Sequence, residues 1–185
     1  MFFAVLSQTL AMFPSQTIPP LYFIFLLASC VETNDYPMTS FRNATDLQFQ
    51  TAAAYANFDM LNDATIAVQA AASATVRNYA NELIADRRAA QVALENIADS
   101  VNQALPQQPE SGDADVALEG LPANALDTSY LREALMDQDS AIALYKNEIA
   151  NGSYAGLIHY ATIGMPLLVA RRATGDSLLQ VLEGH

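Results

Sequence analysis

From Thr45 to Leu182 the chain is written in one period. Apolar residues recur at alternating steps of three and four through four successive long segments, and no segment shows the strict alternation of a strand. Such a pattern restricts the chain to helices packed along their lengths. The first segment is predicted over about 46–72 and aligns Phe49, Ala53, Ala56, Met60, Asp63, Ala67 and Ala70, with Thr45 and Gln48 at capping-box spacing. The second is predicted to follow Ser73 as N-cap and run to about Gln103, with Pro106 closing it; it aligns Val76, Ala80, Leu83, Arg87, Ala90, Leu94, Ile97 and Val101. An Asp127-Thr128-Ser129 cap opens the third, which aligns Leu131, Leu135, Gln138, Ile142, Tyr145 and Ile149 and stops at Gly152. The fourth, over about 154–182, passes through Leu157, Ala161, Gly164, Leu168, Arg171, Gly175, Leu178 and Leu182, with Pro166 placed to kink it or loosen one turn.

The connections predict the topology. A few residues join the first segment to the second and the third to the fourth, so each pair is an antiparallel hairpin. Between Pro106 and Asp127 lies a polar stretch of about twenty residues punctuated by Pro and Gly. Helices of this length span roughly 40 Å at about 1.5 Å per residue. A stretch of about twenty residues covers that distance when extended. The expected fold is therefore all-α: an antiparallel four-helix bundle, ferritin-like, with a long connection between helices 2 and 3. The alternative is an up-down-up-down bundle with a slack middle loop.

Ahead of the bundle the composition is different. Residues 1–29 contain no Asp, Glu, Lys or Arg, so the whole net charge of −12 lies downstream. The apolar run Leu21–Ala28 is too short for a spanning helix, which takes about 20 residues, but suits the core of a signal peptide. It ends in Leu27-Ala28-Ser29-Cys30, which looks like a bacterial lipobox, with small residues before the thiol that takes the lipid. The expected organisation is a lipoprotein-type signal over 1–29, a polar tether over 30–44 and the bundle over 45–183. Cys30 is the only cysteine and carries the anchor, which excludes an internal disulfide and a cysteine nucleophile. Val31 follows it where Asp typically retains such proteins at the inner membrane. The expected address is thus the outer membrane, with the bundle in the periplasm. An acidic body without a basic stripe also excludes nucleic acid as a partner.

Four blocks carry a family resemblance: Phe49–Tyr55, Val76–Arg87, Tyr130–Asp139 and Met165–Leu168. In order and spacing they resemble successive blocks of the bacterial domain-of-unknown-function family 4142. That resemblance covers about Thr45 to Leu182 and implies a ferritin-like bundle in the cell envelope, with no defined activity. Members often carry histidine where this chain has Arg87, Gln138 and Arg171, and glutamate where it has Met60 or Asn62. There is no Glu-x-x-His pair of the di-iron kind, and the only histidines are His159 and His185. Arginine stays protonated and does not ligate divalent metals. No metal site and no cofactor are expected.

The seams place Asp63, Arg87, Gln138 and Arg171 on inward positions of four different helices. Charges there must pair or reach water. The expectation is a mid-bundle polar layer in which Asp63 bridges Arg87 and Arg171, Gln138 completes the hydrogen bonds, and Asp59, Asp86 and Asp137 flank it. Tyr55, Tyr79, Tyr145 and Tyr160 lie near the stripes, with hydroxyls expected to reach water. His159 falls one step off the seam. Taken together, these features predict a non-enzymatic envelope lipoprotein, a scaffold or interaction module for a protein or envelope partner. The alternatives are a binder of small anions or carboxylates through Arg87 and Arg171, and a degenerate ferritin-like metal or redox protein.

Overall fold

The computed structural model describes residues 42–107 and 118–184. The expected signal peptide, Cys30 and nearly all of the expected tether lie outside the described residues, as do the middle of the long connection and His185. Four helices make up the bundle: α1 (Ala44–Ala70), α2 (Ala74–Ser100), α3 (Ala123–Asn151) and α4 (Ala155–Glu183). Their inward faces meet in one core that includes Phe49, Met60, Leu83, Leu94, Tyr130, Leu131, Leu157 and Leu168, interleaved with alanines such as Ala53, Ala64, Ala80 and Ala161. The small side chains let the helices approach closely while the large ones fill the space between.

Contacts at the helix ends fix the direction of each element. At one end the first turn of α1 meets the α3–α4 turn, where Asp46 accepts from the backbone of Ser153 and Tyr154. The end of α2 reaches the same place, because Arg42, just before α1, donates to Gln103 just after α2. At the opposite end the α1–α2 turn meets the start of α3: the Ala72 N–H donates to the Ala123 carbonyl, and the Ser73 N–H to the Asp127 carboxylate at 2.9 Å. Helix α2 thus finishes at one end of the bundle and α3 begins at the other. The connection between them therefore joins opposite ends of the bundle, the long crossover of ferritin-like bundles and not the up-down-up-down alternative. Leu118, in the second half of that crossover, is buried in the core.

The helix boundaries depart from expectation for local reasons. The capping box of α1 uses Asn43 and Asp46, not Thr45 and Gln48, so Arg42 and Asn43 belong to the bundle and not to a tether. Helix α2 stops at Ser100, well before Pro106, because Asn102 adopts the left-handed conformation (φ 52°) and Gln103 closes the turn on the Ala98 carbonyl. Ser73 is the N-cap of α2 as expected, but its hydroxyl pairs with Thr75 instead of a backbone N–H. Asp127 does not cap α3, which begins earlier, after Pro122; its carboxylate serves the start of α2 from across the bundle. Arg77 donates to the last carbonyls of the α1 end, Ala71 and Ala72, where a cation complements the helix dipole. Helix α4 continues unbroken through Pro166.

Candidate functional site: the polar core of the bundle

Polar side chains are buried at three levels of the bundle. At the level of the α1 start, the Asp46 carboxylate accepts from the Asn43 N–H (2.6 Å), the Ser153 hydroxyl (2.6 Å) and the N–H groups of Ser153 and Tyr154 (both 3.0 Å). It therefore caps α1 and α4 together. Burial alone would raise its pKa; the Ser153 hydroxyl and the three backbone donors outweigh that and hold it below the ordinary carboxylate range. Beside it the Glu148 side chain is fully buried. Burial first, then a hydrogen bond to Asp46 and its negative charge, push Glu148 up to about 8. At neutral pH Glu148 is thus predominantly a protonated acid donating to a carboxylate. Gly152 makes room for it, since a Cβ there would collide with the Glu148 carboxyl group.

Toward the middle, Phe49, Tyr145 and Tyr160 form an aromatic cluster with ring centroids 5.2–6.0 Å apart, and the Tyr145 hydroxyl donates to that of Tyr160 at 3.0 Å. The positive charge of buried Arg87 lies close enough to the Tyr145 hydroxyl to counter part of the effect of burial on it. One turn along α2, Gln91 accepts from Asn57 (3.2 Å) and donates to Glu95 (3.0 Å). Further on, Gln138 donates to the Tyr79 hydroxyl at 2.7 Å, and Tyr130 packs edge-on against Tyr79 at 6.2 Å. Burial raises the pKa of Tyr79, Tyr130 and Tyr145, so all three remain neutral.

Of the four residues predicted for a central layer, Asp63, Arg87 and Gln138 are buried and Arg171 is not. Arg171 sits on the α2–α4 rim, where its Nε donates to Asp86 at 2.9 Å and its Nη1 pairs with Glu82. Its long side chain turns outward because two carboxylates at the rim satisfy it without loss of all its water. The predicted bridge from Asp63 to Arg171 is replaced by these rim pairs, and Arg87 and Arg171 do not converge on a shared anion. Three of the tyrosine hydroxyls also differ from expectation: those of Tyr79, Tyr145 and Tyr160 bind buried partners and not water. His159 is exposed on α4.

Two glycines of α4 owe their places to these tyrosines. A Cβ on Gly164 would stand 2.8 Å from the Tyr145 ring, and one on Gly175 would stand 2.8 Å from the Tyr79 hydroxyl and 3.4 Å from Leu135. An exposed helical Gly→Ala change gains about 1 kcal/mol. Here the sign should reverse, because Tyr79 is held by Gln138 and cannot swing away. Gly175→Ala is expected to destabilise the fold by about 1–3 kcal/mol. A higher denaturant midpoint for the variant would refute this account of the packing.

The donor set at the centre does not fit a carboxylate-bridged metal pair. Such a site needs glutamates and histidines facing one another from the four helices, whereas the inward positions here carry Met60, Asp63, Arg87, Gln91, Gln138 and Leu168, with Asp63 the one carboxylate among them and no glutamate or histidine. Among the described residues no three His, Cys, Asp or Glu side chains are grouped to hold a metal ion. The other prominent feature is external. A groove of about 650 Å³ runs between α1 and α3, floored by Ala52 and Ala56, flanked by Leu47 and Tyr55, and carrying Asp59 and Asp137 toward one end. Burial first, then the charges of Glu133 and Asp59, push half-buried Asp137 up to about 7.

The fold and the filled centre define the class: a ferritin-like four-helix bundle whose centre is packed with Tyr, Gln and Arg side chains. The chain belongs to the DUF4142 family, a domain of unknown function, whose model matches residues 34–178. A crystal structure of a DUF305 fragment from Deinococcus radiodurans has the same fold, with a TM-score of 0.67 over 75% of this chain and 97% of that chain at 16% identity. No curated protein matches the chain.

Proposed function

We propose that this chain is a non-enzymatic scaffold of the bacterial cell envelope. In this reading it is tethered through a lipid on Cys30 to the outer membrane, with the bundle in the periplasm. The observation that carries the scaffold reading is the engagement of polar residues across the bundle: Gln138 with Tyr79, Tyr145 with Tyr160, and Arg171 with Glu82 and Asp86. Side chains committed to one another in this way hold helix register, which suits a scaffold. Support for the address comes from Leu27-Ala28-Ser29-Cys30 after an apolar run. It is compatible with the helices, none of which, among the described residues, is long and apolar enough to cross a membrane. An anchored bundle without chemistry acts by binding, so its outer faces are where function resides.

Two measurements test the reading. The wild-type chain is expected in the membrane fraction and a Cys30→Ser variant in the soluble periplasmic fraction; identical fractionation would remove the anchor. Calorimetric titration with ferrous, manganous or zinc ions is expected to give no stoichiometric binding. Tight uptake abolished by Asp63→Asn would replace the scaffold with a metal protein.

A further inference from the structure

The α1–α3 groove differs in chemistry from the rest of the surface. Helix α1 contains no Lys or Arg at all, and none of the described residues lining the groove is basic. At one end two carboxylates on different helices, Asp59 and Asp137, line the same groove, and the charges of Glu133, one turn away on α3, and of Asp59 oppose the ionisation of Asp137. Toward the other end Leu47 is 44% exposed, and between them the alanine floor admits side chains from outside. From Leu47 to Asp59 the groove follows about 18 Å of helix at roughly 1.5 Å per residue. That matches three turns of a helix laid alongside, whose anchors recur at i, i+3 or i+4 and i+7.

From this we infer that the groove is a docking site for an amphipathic helix of a partner protein, its apolar side chains on Ala52 and Ala56 and a lysine or arginine between Asp59 and Asp137. The inference rests on the scaffold reading and gives that scaffold its partner class. Charge complementarity selects the occupant. A cation there removes the like-charge repulsion between the two carboxylates, whereas an acidic segment adds to it. The outer face of α4, with Ile163, Leu167 and Val169 exposed, is also apolar but carries no such selecting charge, and it serves as the control surface.

The test uses the full chain and a fluorescent synthetic helix of leucine, alanine and lysine, with a second peptide in which glutamate replaces lysine. The lysine peptide is expected to bind saturably with one-to-one stoichiometry, and the glutamate peptide not to bind. An Asp59→Asn/Asp137→Asn double variant is expected to lose at least about tenfold in affinity, and it should fold well because it removes repulsion. Ala56→Trp, which fills the floor, should lose binding too, whereas Ile163→Ser/Leu167→Ser should retain it. Equal affinity in the double variant, equal binding of both peptides, or loss confined to the α4 variant would overturn the inference. Displacement of the peptide by spermidine with the same residue dependence would reassign the groove to a small cation. Self-association abolished by the same substitutions would reassign it to a second copy. Failure of the peptide with Cys30-dependent membrane retention intact discards the groove alone; loss of retention discards the anchor alone.

Discussion

Replacing Glu148 by glutamine is expected to leave stability nearly unchanged at pH 5 and to raise it by roughly 3 kcal/mol at pH 9. Glu148 titrates near 4.5 when unfolded and is pushed to about 8 in the fold, by burial and by the Asp46 carboxylate it donates to. Between those values the folded state holds a proton that the unfolded state has released. Its contribution is complete below about pH 4.5 and declines as pH rises to about 8. Above that pH a buried charge faces Asp46 directly. The glutamine amide can make the same hydrogen bond at every pH, so the variant escapes the decline. Asp137, raised from 3.8 to about 7, works in the same direction over a lower window. Asp46, held below 3.8, opposes both by losing its contribution as pH falls through that range. Stability of the wild-type chain should therefore peak at about pH 4–5. For a chain of this size the effect of Glu148→Gln at pH 9 amounts to a melting shift of about 6–12 °C. Parallel pH profiles for variant and wild type would sink the account.

The other large effect is at Asp46. Its carboxylate accepts four hydrogen bonds, one from the Asn43 N–H that caps α1 and three that join the start of α1 to the α3–α4 turn, and it lies beside the Glu148 acid. Asp46→Ala strips the part-buried N–H groups of Ser153 and Tyr154 at the start of α4 of their acceptor and removes the charge beside the Glu148 acid. Hydrogen bonds to a charged group contribute about 1.5–3 kcal/mol each, though not additively. The expected loss is about 3–5 kcal/mol, read from urea denaturation, with Asp46→Asn intermediate because it keeps one acceptor oxygen. A loss below about 1 kcal/mol would show that the turn is held by something else.

The difference between legible and illegible parts can be followed along α3. Steps of three and four from Leu131 locate Leu135, Gln138, Ile142 and Tyr145 correctly, since a helix repeats its face every 3.6 residues whatever its neighbours do. The next step is the ambiguous one. Four leads to Ile149, which is only partly buried, while three leads to Glu148, which is fully buried. Hydrophobicity favours Ile149, and only the presence of Asp46 from α1 and of Gly152 makes Glu148 the better inward residue. Arg171 illustrates the converse. Its seam position is right to within part of a turn, but Glu82 and Asp86 on a different helix draw its guanidinium to the rim. An Asn-x-x-Asp reading at Asn43 and Asp46 would have found the true cap of α1 from sequence.

The period of the chain and the lengths of its connections determined the four helices, their antiparallel hairpins and a crossover long enough to run the length of the bundle, because these depend only on local geometry and reach. Which polar residues meet was decided by tertiary structure. The Asp46–Glu148 pair, the Gln138–Tyr79 bond and the Tyr145–Tyr160 bond each join residues of different helices. Their pairing is set by helix rotation of less than one residue step, and a seam read from a sequence does not resolve a rotation that small.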